Sequence, residues 1–335
     1  KKFSKEHRKE ILFYMFLQYL FFKQWRRLKK YANKKGIRLI GDIPIYVALD
    51  SADVWAAPEL FQLDEDSFPK AVAGCPPDGF SATGQLWGNP LYDWEVHKKE
   101  NFAWWIRRVK HCQKLYDVIR IDHFRGFDEY YSIPAGDDTA VNGHWEKGPG
   151  FALFARLKEA LGNARIIAED LGYLNDSVRQ LVKITGYPGM KVLEFAFDSR
   201  DDSSSDYLPF RYDKNCVVYT GTHDNETVLG WLSSIRPEEK QAIYRYLGLE
   251  HQVPDAVLAK KLVRLAMSST ADLCIIPMQD YLGLGNEARI NEPSTLGTNW
   301  SWRMKRLTEG REKALAGEIL ELTKVYGRMG HASDR

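Results

Sequence analysis

The feature that most constrains the fold of this chain is a series of short apolar runs separated by helical or loop stretches. The runs span residues 37–45, 118–122, 165–168, 191–197, 216–220 and 273–278. Near-continuous apolar runs of this length are typical of parallel strands buried on both faces. Helices are predicted at residues 94–116, 151–161, 177–185, 237–247 and 255–269. The alternation predicts an α/β fold, and 335 residues fit one large barrel or two ordinary domains.

The amino-terminal segment contains an apolar run over residues 11–22 behind a charged start, which imitates a secretory signal. Basic residues follow it at 23–30 instead of a small-residue cleavage site. The run is also too short to span a bilayer, so no membrane partner is expected. We predict one helix over residues 5–33 that ends near Gly36. Because it is apolar around most of its circumference, this helix is expected to have neighbours on several sides.

Charge and cysteine content exclude several classes of protein. The formal net charge is +2, and the basic residues are interleaved with acids, so no nucleic-acid partner is expected. The four cysteines form neither a C-x-x-C pair nor a dense framework, which favours reduced thiols in a cytoplasmic protein and disfavours a zinc site. Ten Trp and seventeen Tyr exceed what packing usually needs, and flat rings also suit the faces of sugars.

Arg120 and Asp122 lie two residues apart in one predicted strand, so their side chains share a face. A neighbouring guanidinium lowers the pKa of a carboxylate and keeps it ionised, as a nucleophilic or charge-stabilising aspartate requires. A structural ion pair beneath a loop would give the same pattern. This stretch alone does not separate the two interpretations.

Acidic residues recur where the predicted strands end. Asp42 lies within the first strand, Asp122 ends the second, Glu169 follows the third, and His223 and Asp224 follow the fifth. The carboxyl ends of the strands build the active site of a (β/α)₈ barrel, and an open doubly wound sheet also binds ligands there. Buried unpaired acids cost stability, so packing explains this recurrence poorly. We therefore predict a catalytic cluster.

Glycosyl transfer or hydrolysis is the chemistry that fits this cluster. It needs one carboxylate to attack the anomeric carbon and one protonated carboxyl group to release the leaving oxygen. Asp122, ionised beside Arg120, suits the first role. Glu169 suits the second, because an apolar strand and a neighbouring carboxylate would raise its pKa. Asp224 could then bind sugar hydroxyls while positive charge develops on the ring.

Five motifs, in one order and spacing, resemble the 4-α-glucanotransferase family, the amylomaltases or disproportionating enzymes. They are Gly41-Asp-Ile-Pro-Ile-Tyr-Val47, Gln85-Leu-Trp-Gly-Asn-Pro-Leu-Tyr92, Arg120-Ile-Asp-His-Phe-Arg-Gly126, Ile167-Ala-Glu-Asp-Leu-Gly172 and Thr222-His-Asp-Asn225. Each motif alone is weakly specific, whereas the five together are very specific. The resemblance runs from Gly41 to about Arg303. It implies a retaining transglycosylase of the α-amylase clan with a (β/α)₈ barrel.

The resemblance also implies roles for individual residues. Asp122 matches the nucleophile, Glu169 the general acid/base and Asp224 the residue that stabilises the transition state. The positions that match those binding the sugar at the point of cleavage are Asp42, Arg120 and His223. Phe195 matches an aromatic residue beside the acceptor side.

The implied function is transfer of α-1,4-linked glucan segments between malto-oligosaccharides through a glycosyl-Asp122 intermediate. The expected partners are malto-oligosaccharide donors and acceptors and glucose. Two alternatives stay open. A glucan hydrolase of the same clan shares the intermediate, and a non-catalytic glucan-binding fragment would bind maltotriose without turning it over.

Family members that resemble this chain carry a substantial further segment before the equivalent of Lys5, including the first barrel strands and a loop whose Tyr stacks on the donor sugar. We therefore expect residues 1–335 to be a single (β/α) barrel catalytic domain that is amino-terminally incomplete and lacks the first two strands.

Residues 48–93 form a long stretch that is rich in Gly, Pro and aromatic residues, and it is predicted to be an irregular inserted active-site loop region. Such insertions are usually functional. We assign Trp87 and Gln85 in it to substrate binding. A transferase must keep water from the glycosyl-enzyme, and Trp87 could both stack on a glucose and exclude solvent. The alternative is a surface ornament packed by its own aromatic residues.

No metal or cofactor is predicted. The acids between residues 124 and 150 lack the alternating spacing of a calcium loop. The segment Tyr281-Leu-Gly-Leu-Gly285 lacks the rest of a dinucleotide-binding fingerprint.

Overall fold

The computed structural model describes residues 2–77, 81–172, 174–200, 204–293 and 295–330. They divide into two compact units, Lys1–Glu169 with Asn175–Tyr187, and Asp170–Leu174 with Pro188–Arg335. The strands are β1 Ile40–Ile43, β2 Ala71–Cys75, β3 Gln85–Pro90, β4 Val118–Ile121, β5 Glu129–Pro134, β6 His144–Lys147, β7 Ile166–Ala168, β8 Gly189–Val192, β9 Cys216–Tyr219 and β10 Leu273–Ile275. The α-helices are α1 Lys2–Glu6, α2 Arg8–Lys34, α3 Ala52–Ala56, α4 Trp94–Lys99, α5 Ala103–Leu115, α6 Phe151–Leu161, α7 Asp176–Thr185, α8 Val228–Ser234, α9 Pro237–Tyr246, α10 Asp255–Ser268, α11 Met278–Leu282 and α12 Glu309–Val325.

The first unit is built on a parallel sheet in the order β1-β4-β7. Ile119 and Ile121 of the central strand β4 are almost fully buried, as its apolar composition predicts. Aromatic side chains fill much of the core beside this sheet, among them Trp105, Phe124 and Phe127. These large rings fix the turn that follows β4, because Phe124 and Phe127 belong to the 3₁₀ helix Phe124–Phe127.

A four-stranded antiparallel sheet in the order β3-β2-β5-β6 completes the first unit. Its strands β2 and β3 lie within residues 48–93, so the prediction of an irregular segment is wrong for these residues. The remaining strands, β5 and β6, lie in the stretch between residues 124 and 150 that follows β4 and contains the acids considered for a calcium loop. Gly74 allows the close pairing of β2 with β3, because a Cβ at this position would lie 2.1 Å from the carbonyl oxygen of Gln85.

The second unit contains a parallel sheet in the order β10-β9-β8. Helices α8, α9 and α10 contribute Leu232, Ile243, Leu258 and Leu262 to the core against which β9 packs with Val218. The predicted strand over residues 191–197 is wrong for residues 193–197. The strand ends at Val192 and the chain continues as the 3₁₀ helix Leu193–Phe197, because an apolar run identifies burial better than conformation.

The predicted helix over residues 94–116 is two helices, α4 and α5. Asn101 and Phe102 between them adopt left-handed backbone angles, with φ of 51° and 55°. Phe102 is buried by this turn. The apolar periodicity continues from α4 into α5, so it predicted a single helix. The break between the two helices is stabilised by the buried side chain of Phe102.

Helix α2 confirms the predicted amino-terminal helix but not its expected burial. Within the described ranges it contacts α5 along one stripe, where Trp25 donates from Nε1 to the carbonyl of Leu115 at 2.8 Å. Ala32 is its buried residue, and aromatic side chains such as Phe13 and Tyr14 are exposed. In the described part of the chain, no helix combines the length and apolar character needed to cross a membrane.

Candidate active site

Arg120 is the centre of the candidate site in the first unit. The register of β1 and β4 sets it opposite Asp42. Its Nη1 donates to both carboxylate oxygens of Asp42 at 2.7 Å and lies 2.9 Å from Oδ1 of Asp122. The prediction that Arg120 and Asp122 are neighbours is therefore confirmed. The side chain of Arg120 is 9% exposed, whereas those of Asp42 and Asp122 are 42% and 43% exposed, so the cation is buried and both carboxylates remain accessible.

Three carboxylates act on the Arg120 guanidinium. Burial by itself lowers its pKa, but Asp42, Asp122 and Glu169 raise it more, so the pKa lies above its ordinary value. The positive charge is therefore permanent at physiological pH. Because a fixed cation favours a carboxylate over a carboxylic acid in its immediate surroundings, this arrangement supplies the environment that an attacking carboxylate needs.

Glu169 follows β7, the strand beside β4. Its backbone N–H donates to the carbonyl of Ile121 at 3.1 Å, and its side-chain Oε2 accepts from the backbone N–H of His123 at 2.6 Å. Adjacent parallel strands lie about 4.8 Å apart, so carboxyl groups at the ends of β4 and β7 are neighbours. Asp122 and Glu169 directly follow Ile121 and Ala168, which are paired in the register of these strands.

His123 provides that hydrogen bond because its backbone turns sharply after Asp122. It adopts a left-handed conformation with φ of 52° and ψ of 50°. Such a conformation is uncommon for a residue other than glycine. Burial, and secondarily the positive charge of Arg125, lower the pKa of the His123 ring to about 3, so the ring is neutral at physiological pH.

Trp87 lies beside His123. The two rings meet edge to face with centroids 4.8 Å apart, and Trp87 also contacts the ring of Tyr46 at 6.3 Å. Its Nε1 donates to Oε1 of Gln85 at 3.0 Å. Trp87 is 36% exposed, so part of its indole ring is available to a ligand. The structure thus brings Trp87 and Gln85 together next to the residue that follows Asp122.

His223 and Asp224 belong to the second unit, in the turn that follows β9. Nε2 of His223 lies 3.3 Å from Oδ2 of Asp224, whose side chain is 41% exposed. Oδ1 of Asp224 accepts from Nδ2 of Asn291 at 2.6 Å, and its backbone carbonyl accepts from Nη2 of Arg289 at 2.8 Å. The carboxylate is therefore held in a fixed orientation while one side remains open.

Phe195 lies in the 3₁₀ helix Leu193–Phe197 of the second unit. It is partly buried, packs against the core of this unit and meets Tyr207 edge to face at 5.4 Å. Its predicted position beside the acceptor remains a prediction.

Sequence reasoning assigned no role to His123, Arg289 or Asn291. His123 contributes through a backbone N–H, which no residue pattern marks. Arg289 and Asn291 lie after the last strand in a segment without regular periodicity. Their signal in the sequence is weak, because only the fold brings them to Asp224.

A comparison of the sequence with known families matches residues 1–308 to the 4-alpha-glucanotransferase family. A 4-alpha-glucanotransferase from Clostridium butyricum is 52% identical over 330 residues, which are 98% of this chain and 66% of that protein. Another, from Streptococcus pneumoniae serotype 4, is 49% identical over 323 residues, which are 96% of this chain and 62% of that protein. This chain therefore spans slightly less than two thirds of the length of these relatives.

Solved structures agree with the sequence comparison. An amylomaltase from Streptococcus agalactiae, in complex with acarbose, is 42% identical and superposes with a TM-score of 0.90 over 98% of this chain and 65% of that chain. The amylomaltase from Corynebacterium glutamicum, at 21% identity, has a TM-score of 0.68 over 86% of this chain and 46% of that chain, which supports the fold alone. On the sequence match over residues 1–308, the chain belongs to the 4-alpha-glucanotransferase family.

Proposed function

We propose that the protein is a retaining 4-α-glucanotransferase that moves α-1,4-linked glucan segments between malto-oligosaccharides. The observation that carries the proposal is the geometry around Arg120. Asp122 is paired with this buried cation, and Glu169 is held at the end of the neighbouring strand by the His123 N–H. Membership of the family supports the same reaction class.

We also propose that residues 1–335 are one catalytic domain and that its parallel strands are six of the eight strands of a (β/α)₈ barrel. The strand orders support this proposal. When only the parallel strands are considered, neighbours in each sheet are consecutive along the chain. The orders are β1-β4-β7 in one sheet and β8-β9-β10 in the other. α-Helices separate consecutive parallel strands, except that the described residues between β8 and β9 contain 3₁₀ helices instead.

In the first half of the reaction, Asp122 attacks the anomeric carbon of the donor sugar. The bond between that carbon and the glycosidic oxygen breaks, and Glu169 gives its proton to the departing oxygen. The leaving chain departs with a new 4-hydroxyl group. The glycosyl group remains as an ester of Asp122, and Glu169 remains as a carboxylate.

In the second half, the 4-hydroxyl of an acceptor sugar attacks the same anomeric carbon. Glu169 removes the hydroxyl proton, the ester bond breaks and the Asp122 carboxylate is released. Two inversions give net retention of the α configuration. Water in place of the acceptor would give hydrolysis, so the balance between the two activities is decided at this step.

The remaining polar residues bind and orient the sugar. Asp224 accepts hydrogen bonds from sugar hydroxyls as positive charge develops on the ring, and Asn291 holds its carboxylate for that purpose. Asp42 and His223 bind the sugar at the point of cleavage. Phe195 contacts the acceptor.

Maltotriose tests this function directly. We expect the full-length protein to release glucose together with maltopentaose and longer oligomers, and Asp122→Asn to eliminate these products. Release of glucose and maltose without longer oligomers would indicate a hydrolase. Binding of maltotriose without any product would indicate a non-catalytic glucan-binding protein.

Trp87→Ala is expected to raise the ratio of hydrolysis to transfer. Trp87 borders His123, and its loss would remove a stacking face for the acceptor and admit water to the glycosyl-enzyme. The ratio should rise roughly tenfold for each 1.4 kcal/mol of lost discrimination. The measurement compares free glucose with oligosaccharide transfer from maltotriose.

Trp145→Ala is the matched control for Trp87→Ala. Trp145 is 37% exposed, nearly as exposed as Trp87, and lies on β6 of the same antiparallel sheet, where its ring packs on Arg125. We expect its ratio of hydrolysis to transfer to equal that of the wild type. An unchanged ratio in Trp87→Ala would show that residues 48–93 do not select the acceptor.

Chelation of divalent metal ions is expected to leave activity unchanged. Two of the acids between residues 124 and 150, Asp128 and Glu129, already have partners within the protein. Glu129 pairs with Lys147 and accepts from Asn175, while Asp128 accepts from the hydroxyl of Ser177. The measurement is maltotriose disproportionation with and without EDTA. A loss of activity that calcium restores would contradict the prediction.

The expected partners are malto-oligosaccharide donors and acceptors and glucose. We also propose a cytoplasmic location. The support is that all four cysteines are free thiols, as in proteins of reducing compartments.

A further inference from the structure

Residues 289–293 and 295–300 lie beside the turn that carries His223 and Asp224 in the second unit. The backbone N–H of Asn291 donates to the carbonyl of His223 at 3.1 Å. The side chain of Asn291 and the guanidinium of Arg289 both donate to Asp224. This segment and the candidate catalytic turn are therefore bound to each other at several points.

Trp300 ends this segment in a backbone conformation that a large side chain rarely adopts. Its φ is 61°, in the left-handed region. Left-handed conformations of residues other than glycine are strained and cluster at functional sites. The Trp300 N–H donates to the carbonyl of Ile290 at 2.7 Å, which holds the residue in place.

Asn299, the residue before Trp300, binds the preceding part of the loop with its side chain. Its Oδ1 accepts from the backbone N–H of Glu292 at 3.0 Å, and its Nδ2 donates to the carbonyls of Glu292 and Thr295. These hydrogen bonds hold the loop and stabilise the strained backbone conformation of Trp300. A strained conformation persists only where the surrounding structure stabilises it in this way.

The ring of Trp300 projects beside His223. The two ring centroids are 5.2 Å apart with planes tilted by 39°. Trp300 is nevertheless 58% exposed. Burial in a core therefore does not explain its position: the loop holds most of a large aromatic surface in solvent next to a residue of the candidate site.

We infer that Trp300 is a substrate-contacting residue whose exposed indole face stacks on one glucose unit of the glucan bound at Asp224. This inference rests on the proposed function. A glucose ring has a face of C–H groups that suits an aromatic plane, while its hydroxyls are free to reach Asp224 and Asn291. The same contact would favour glucans long enough to occupy the position of Trp300.

The test measures glucan binding without turnover. In a Glu169→Gln background, calorimetric titration with acarbose and with maltoheptaose is compared for Trp300 and for Trp300→Ala. We expect Trp300→Ala to weaken binding of at least one of these ligands about five- to tenfold, the effect of a lost aromatic contact. Trp300→Phe, which keeps a stacking face, should recover most of the affinity.

Trp55→Ala is the matched control, because Trp55 on α3 is 85% exposed and lies outside the candidate site residues. It should bind both ligands as tightly as the Glu169→Gln parent. Circular dichroism and thermal melts identify any variant that fails to fold.

Three outcomes distinguish failure of the stacking inference from failure of the proposed function. Equal affinities of Trp300→Ala and its parent for both ligands would refute stacking while leaving the transferase proposal intact. A Trp300→Ala enzyme with a lower kcat for maltotriose but unchanged KM and unchanged affinity would mean that Trp300 only supports His223, which also refutes the inference. Absence of glucan binding by the parent and of transfer by the wild type would refute the proposed function as well.

Discussion

Glu169→Gln is expected to lower transfer and hydrolysis of maltotriose together by roughly 10²–10⁴-fold, because both halves of the reaction need proton transfer at this one carboxyl group. The substitution keeps the size of the side chain and its ability to accept from the His123 N–H. Glu159→Gln, at an exposed carboxylate of α6, is the control and should have wild-type activity. The measurement is the initial rate of each product from maltotriose.

A donor whose leaving group needs no proton separates the two carboxylates. With α-maltotriosyl fluoride, Glu169→Gln should still form the ester with Asp122, and the intact mass of the protein should rise by one maltotriosyl group. Asp122→Asn should show no such adduct. An adduct on Asp122→Asn, or full activity of Glu169→Gln on maltotriose, would contradict the assignment of these two residues.

Arg120→Gln is expected to reduce both stability and activity. Breaking a buried ion pair costs about 3–5 kcal/mol, and a value near the lower end is expected here because Asp42 and Asp122 are each more than 40% exposed. Activity should fall by at least 100-fold, since Asp122 loses the contact at 2.9 Å with Arg120 that orients its carboxylate for attack. Chemical denaturation and maltotriose disproportionation measure the two effects.

Arg120→Lys distinguishes charge from geometry. A lysine keeps the positive charge but lacks the planar, rigid guanidinium group, whose Nη1 contacts both Asp42 and Asp122. It should recover part of the stability and little of the activity. In Arg120→Gln, an additional Asp42→Asn substitution should restore stability, because it removes one of the carboxylates left without a counter-charge. If Arg120→Gln is as stable and as active as the wild type, Arg120 does not organise the site.

The sequence located the parallel strands well because their signal is local. Continuous apolar runs mark β4, β7 and β9 within about one residue of their observed bounds. The antiparallel sheet was missed because β2 and β3 contain glycine and polar residues and depend on pairing with β5, which is distant in the chain. The predicted bounds of β8 were displaced because the 3₁₀ helix that follows the strand is also buried and apolar, so its residues extend the same apolar run.

The candidate site divides in the same way. Arg120 and Asp122 could be predicted as neighbours because two residues of one strand share a face at a fixed period. The bond from Asn291 to Asp224 joins residues that lie 67 positions apart in the chain. The hydrogen bond from the backbone N–H of His123 to Glu169 depends on the left-handed backbone conformation of His123. Neither of these bonds has a periodic signal, so the fold had to be known before either could be recognised.

The donor that holds Glu169 is a main-chain amide, and this has a consequence for how the site tolerates change. Any residue at position 123 except proline would present the same N–H to Oε2 of Glu169, provided that it adopts the turn. A glycine would adopt it with less strain, at the expense of the ring that meets Trp87. Side-chain variation at this position can therefore alter the aromatic wall of the site while the hydrogen bond is kept. Replacing the amide between Asp122 and His123 with an ester would delete the hydrogen bond and leave every side chain in place.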